Sequence, residues 1–436
     1  MNSLPNGIKV ITSNIRGTRT ATVLIIVATG SKYENQKNSG ISHFLEHMFF
    51  KGTKNRTTAL AISSELDSIG AEFNAFTGKE YTGYWVKVDV EKIEKAVSIL
   101  SDMLLNSLFS IEEIERERGV IIEEYNMYAD NPMMHIEDVF ENCLYGNTPA
   151  GWDTIGTKEV IKKVKRSDFV SYFESQYGPK NINICVAGNI KNEEKIIPLL
   201  KKYFQSTDFN KRGSGFKEKI KVIETQKKPQ ILVESKKTDQ AHFSMGVRSF
   251  GYLSSEKIIL KIISIILGGS MSSRLFVNLR ERNGLAYYVR TDSEIYTDSG
   301  YLTTRAGVPV EKLDQAIEIV LQEYRKLKKE KINHEELQRA KDMIAGRMAI
   351  QMESSDNVAN WLGRQAALTM TIKRKDKKII DNHDIKTTDD YLHEIKSIKS
   401  EDIQRVAQQI FIDQNLNLAV IGPYKNKNKF IKILKL

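Results

Sequence analysis

Apolar and polar positions alternate along this chain in two distinct periods. "IKVIT", "TATVLIIVATG" and "EFNAFTGKEYTGYWVKV" carry the short runs and two-residue alternation of strands. "AISSELDSIG" and "EKIEKAVSILSDML" repeat their apolar residues every three to four positions, as amphipathic helices do. The mixture persists to the C-terminus and predicts an α+β fold, with mostly antiparallel sheets each covered by helices on one face.

The pattern also repeats. "SDFVSYFESQYGPKNINICVAGNI" (167–190) matches "EDIQRVAQQIFIDQNLNLAVIGPY" (401–424), aligning Asp168 with Asp402, Asn181 with Asn415, Asn183 with Asn417 and Gly188 with Gly422. Each copy reads as helix, turn and apolar strand ending in glycine. A looser pair joins "TATVLIIVATGS" to "AHFSMGVRSFGY". Two duplicated domains are expected, 1–207 and 222–436. The polar stretch between them (208–221), with Gly213, Ser214 and Gly215, reads as a flexible linker.

Composition narrows the function. The 436 residues carry a net charge of +10, but the lysines are dispersed and often lie beside glutamates. No finger, RNP or phosphate-loop motif accompanies them, so no nucleic-acid partner is expected. The longest apolar run, "ATVLIIVA", is too short to span a bilayer, and the first residues lack the pattern of a secretory signal. Cys143 and Cys185, the only cysteines, fit a reducing, cytoplasmic setting.

The candidate chemistry lies in "GISHFLEHMFFKGT" (40–53). As a helix, this stretch puts Ile41, Phe44, Leu45, Met48 and Phe49 on an apolar stripe. His43, Glu46, His47 and Phe50 fall on another face. Histidines at i and i+4 can share one zinc ion, and Glu46 reaches the same region as a general base. This is H-x-x-E-H, the inverted zinc-protease motif. An open site needs a third protein ligand. In "SIEEIERERGVIIEEYNMYADNP" (110–132), Ser110 and Glu113 form a capping box and Asn131-Pro132 ends the helix. Glu117 and Glu124, two turns apart, share a face with Ile121, whereas Glu123 points elsewhere.

"HFLEHMFFKGT" followed by "ERERGVIIEE" resembles the pitrilysin/insulinase class of zinc peptidases, in the branch of the mitochondrial processing peptidase and its bacterial relatives. The resemblance implies Glu124 as the third ligand, with Glu117 supporting the site from behind, and one zinc per chain. The spacing itself does not separate zinc from manganese or cobalt.

The second half has no H-x-x-E-H; His242, His334, His383 and His393 lack paired spacing. Residues 268–289, "GGSMSSRLFVNLRERNGLAYYV", read by themselves as a glycine-rich turn, a helix and a strand. The resemblance implies more: Arg280 and Tyr287 would reach the zinc site and donate to the oxyanion. It also implies that Asn74 and Ala75 bind peptide main chain. Two chains would assemble a clamshell around a chamber, each chain forming one half. Because one sequence carries both the metal motif and the arginine–tyrosine pair, a homodimer is expected over a heterodimer. The expected function is zinc-dependent endopeptidase action on unfolded or presequence-like peptides. The alternatives are trimming of a precursor peptide in cofactor biosynthesis and a non-catalytic peptide-binding subunit.

Overall fold

The computed structural model describes residues 2–190, 193–375 and 385–436. The chain forms two compact units, each built around one sheet. The first unit comprises residues 1–125, 153–220 and 348–386; the second comprises 126–152, 221–347 and 387–436.

In the first unit the strands are β1 (Asn2–Ser3), β2 (Lys9–Asn14), β3 (Thr20–Val27), β4 (Glu72–Thr77), β5 (Thr82–Asp89) and β6 (Ile182–Gly188). Their order across the six-stranded sheet is β1-β2-β6-β3-β5-β4. β2 and β6 are parallel and all other pairs are antiparallel. In the second unit the strands are β7 (Gln230–Ser235), β8 (Gln240–Ser249), β9 (Val289–Ile295), β10 (Gly300–Pro309) and β11 (Leu416–Gly422). Their order is β7-β11-β8-β10-β9, again with one parallel pair, β7 with β11.

Apart from β1 the two sheets correspond strand for strand, as the repeat predicts. Two of the four matched pairs also do the same work. Asp168 accepts the N–H of Lys165, and Asp402 accepts that of Lys399, each holding the first turn of its helix. Asn181 and Asn415 each donate to the carbonyl of the residue five positions earlier, Gln176 and Ile410. Each thereby fixes the turn into β6 or β11.

Side-chain alternation explains how each sheet is covered. Phe243, Met245, Val247, Leu418 and Val420 point into a core shared with helices Lys257–Gly268, Leu313–Lys329 and Ser400–Ile410. The opposite face of that sheet, with Tyr301, Ala419 and Ile421, packs on helix Pro132–Tyr145 from the N-terminal half of the chain. The reverse holds in the first unit. Leu24, Ile26, Cys185 and Ala187 pack on helix Ser355–Lys375 from the C-terminal half, through Val358, Ala359, Ala366 and Ala367. Each half thus covers one face of its sheet with its own helices, and an exchanged helix covers the other. β3, buried from Ala21 to Val27, needs both.

The stretch expected to be a loose linker is fastened to the first unit. Phe209 is buried, and the Arg212 guanidinium lies 4.2 Å from the Phe173 ring centroid. Arg212 also donates to the carbonyls of Leu104 and Leu105 (3.1 and 2.9 Å). Lys219 is buried 3.0 Å from Glu80, which also pairs with buried Lys32 at 2.9 Å. A buried lysine without its carboxylate would cost several kcal/mol, roughly 3–5, so these contacts hold the segment in place.

Candidate active site

Helix Ile41–Met48 begins at Gly40, whose φ of 90° is left-handed. A Cβ there would also meet the Ile155 carbonyl oxygen at 2.3 Å. The orphan N–H groups of Gly40 and Ser42 donate to the buried Glu34 carboxylate at 2.7 and 2.8 Å. The predicted stripe, Ile41, Phe44, Leu45, Met48 and Phe49, is buried. Phe44 meets Phe169 edge to face at 4.8 Å, and Phe49 meets Tyr84 at 4.9 Å. Each such side chain stabilises the packing by about 1.5–3 kcal/mol relative to full exposure. This burial fixes the helix rotation and so points His43, Glu46 and His47 away from the core.

Helix Ile111–Asp130 supplies the partner face. Ser110 caps it by accepting the Glu113 N–H at 3.2 Å, and Ile121 is buried between the two glutamates in question. The Nε2 atoms of His43 and His47 lie 3.4 Å apart, and Glu124 oxygens lie 3.6 Å from the former and 3.4 Å from the latter. The three residues each offer a ligand atom within 4.8 Å of the others, the only such group among the described residues. Two imidazole nitrogens and one carboxylate, with no fourth protein ligand among the described residues, form the donor set of an open zinc site. These residues therefore fit the ion that the motif implies.

The surrounding groups prepare the ligands. Glu117 lies 2.9 Å from His47 Nδ1 through one oxygen and 2.6 Å from Lys51 Nζ through the other. Burial would raise the Glu117 pKa, but the bonds to His47 and Lys51 outweigh it and hold the carboxylate below its usual range. For His47, burial works downward, yet the bonds to Glu117 and Glu124 prevail and push it up to about 9. Glu124 is held well below the carboxylate range, chiefly by hydrogen bonds to His43 and His47. Glu46 is raised by burial, against the hydrogen bond it accepts from Thr77. A carboxylate shifted upward is a stronger proton acceptor than an unperturbed one.

Asn74 and Ala75 lie on β4, one of the two edge strands of the first sheet. The Asn74 side chain accepts the Ala75 N–H at 2.8 Å. Arg280 and Tyr287 belong to the second unit. Arg280 sits in the π-helical stretch Phe276–Arg282 and donates to the Tyr287 carbonyl at 3.1 Å. Its guanidinium lies 5.6 Å from the ring of Tyr287, which is 79% exposed. The structure thus brings these two residues to each other. His242 stacks on Tyr288 and His135 contacts Glu234 at 3.0 Å; His383 lies outside the described residues.

Sequence reasoning missed Lys51, Thr77 and Glu34. Lys51 had a partial signal, lying four residues beyond His47, just past the end of the helix. The other two act through contacts between separate elements that no local period reveals.

With this geometry established, comparison with known proteins places the chain. Residues 9–158 match the family model for insulinase (peptidase family M16), and residues 163–344 match that for the peptidase M16 inactive domain. The chain belongs to the M16 peptidase family. An "uncharacterized zinc protease" of Bacillus subtilis is 33% identical over 421 residues, covering 97% of both chains. One from Rickettsia felis is 33% identical over 424 residues, also covering 97% of each. A protease from Helicobacter pylori has the same fold, with a TM-score of 0.83 at 24% identity over 97% of this chain and 98% of that one. A chain of complex III2 from Candida albicans shares it at a TM-score of 0.80 and 16% identity, covering 100% and 99%. The M16 fold alone therefore does not decide the activity, and the site has to. The inactive-domain match runs from residue 163 into the second half, and that stretch has no H-x-x-E-H sequence.

Proposed function

We propose that this M16 protein is a zinc-dependent endopeptidase acting on extended, unfolded peptides. One observation carries the reading: His43, His47 and Glu124 converge as an open three-ligand set with Glu46 on the same helix. When bound, zinc would polarise the scissile carbonyl and acidify the attacking water.

The protein's own groups account for the remainder. Glu117 engages His47 Nδ1, so Nε2 can present its lone pair toward the metal position. Glu46, with one oxygen engaged by Thr77, keeps the other to accept the water proton and return it to the leaving amine. The exposed edge of β4, at Asn74 and Ala75, would take an extended peptide as an added strand, reading main chain more than side chains. Arg280 and Tyr287 would donate to the carbonyl oxygen as negative charge develops on it.

In the same reading each chain binds one zinc and works as a homodimer enclosing its substrate, since metal set and arginine–tyrosine pair occur in one sequence. The same reading sets the protein in the cytoplasm, where its two free cysteines would stay reduced. The test is cleavage of an unfolded peptide before chelation, after it, and after zinc is restored. Cleavage should stop and return; peptide binding without cleavage in the zinc-loaded protein would make this a binding subunit instead.

A further inference from the structure

We propose that Thr77 is a positioning residue for Glu46, joining the general base to the strand that holds the peptide. The inference rests on the endopeptidase reading above.

Thr77 is the last residue of β4 and pairs with Thr82 of β5. Its backbone is held on both sides. Thr82 is buried and donates its hydroxyl to the Thr29 carbonyl at 3.0 Å, while Gly78 N–H donates to the Tyr81 carbonyl at 2.9 Å. A β-branched side chain on such a backbone has little rotamer freedom. Its hydroxyl donates to Glu46 Oε2 at 2.5 Å, the one hydrogen bond this carboxylate makes among the described residues.

Glu46 reaches the site through three rotatable side-chain bonds. With Oε2 committed to Thr77, Oε1 remains for the proton, and the plane of the carboxylate is fixed. Without the hydroxyl the group would sample several rotamers, and the productive one would be populated only part of the time. The strand involved is also an edge strand of the sheet. Thr77 is three residues from Asn74, so the peptide's rail and the base's anchor form one rigid piece. A peptide seated on β4 would then have its scissile bond registered against the base by the sheet itself. Phe73 on the same strand stacks with Phe50 at 6.2 Å, a second tie between β4 and the end of the histidine helix.

A merely structural role, satisfying a half-buried carboxylate, predicts loss of stability with no particular effect on turnover. The variants Thr77→Val, which keeps the shape, and Thr77→Ser, which keeps the hydroxyl, separate the two. Zinc content, KM and kcat on one unfolded peptide are measured for each, beside Glu46→Gln. Thr77→Val should keep its zinc and its KM while kcat falls by about ten- to a hundredfold. Thr77→Ser should recover most of kcat. An unchanged kcat in Thr77→Val, a rise in KM alone, or a Thr77→Ser variant as slow as Thr77→Val would overturn the proposal. Cleavage at the wild-type rate by Glu46→Gln would overturn the proposal too, since Thr77 would then have no base to position; zinc-loaded wild type that binds the peptide without cleaving it would instead fail the endopeptidase reading.

Discussion

Lys51 stands 2.6 Å from one oxygen of Glu117, whose other oxygen lies 2.9 Å from His47 Nδ1. The lysine thereby helps keep Glu117 ionised, and the ionised carboxylate sets which imidazole nitrogen carries the proton. Partners of this kind, one shell behind a ligand, typically change metal affinity by about 10–100-fold. Lys51→Met should weaken zinc binding by about tenfold, read by competition with a chromophoric chelator. Wild-type affinity in this variant would remove Lys51 from the site.

Zinc binding should also depend on pH. In the metal-free site His47 holds its proton up to about 9, because its bonds to Glu117 and Glu124 outweigh burial. Zinc needs the Nε2 lone pair and so must displace that proton. Affinity should rise by about tenfold per pH unit up to roughly 9 and level off above it. Calorimetry in two buffers of different ionisation enthalpy should show proton release on binding at pH 7. No release would contradict this description of His47.

A second pH effect belongs to the fold. Burial raises Glu34 from 4.5 to about 7, despite the N–H bonds from Ser42 and Gly40. An acid whose pKa is higher folded than unfolded binds more protons in the folded state between those values. Its contribution is therefore complete below pH 4.5 and is lost as pH rises to about 7. The loss amounts to at most roughly 3–4 kcal/mol at about 1.4 kcal/mol per unit. Glu34→Gln should flatten the fall in denaturation midpoint across that window; an unaltered slope would show that Glu34 does not titrate there.

Much of the metal site could be read before any coordinates. The i, i+4 histidines, the intervening Glu46 and the apolar stripe opposite them follow from helix period alone. Glu117 and Glu124 share a readable face, but choosing between them as ligand took the family resemblance. Ala359, Gly363, Ala366 and Ala367 mark a small-residue face on their helix, yet nothing local says that it meets β3 and β6, more than 150 residues earlier in sequence. Likewise Gly213 and Gly215 suggest a loose join, whereas Arg212 and Lys219 find long-range partners that fasten it. Periodicity reports which face is apolar; partner choice lies in tertiary contacts.

The exchanged helix offers a direct check. A Cβ on Gly363 would meet Leu24 Cδ2 at 2.9 Å and Cys185 Sγ at 3.3 Å. Gly363→Leu should overpack this face and lower unfolding stability by about 1–3 kcal/mol. Full wild-type stability would mean that the helix does not rest on that sheet.

The central claim is that Glu46 acts as base beside a zinc held by His43, His47 and Glu124. Glu46→Gln, prepared with measured zinc content and assayed on an unfolded peptide, addresses it most directly. The account predicts one zinc per chain, as in the wild type, and a loss of turnover of at least about a hundredfold. Cleavage at the wild-type rate by zinc-loaded Glu46→Gln protein would contradict it.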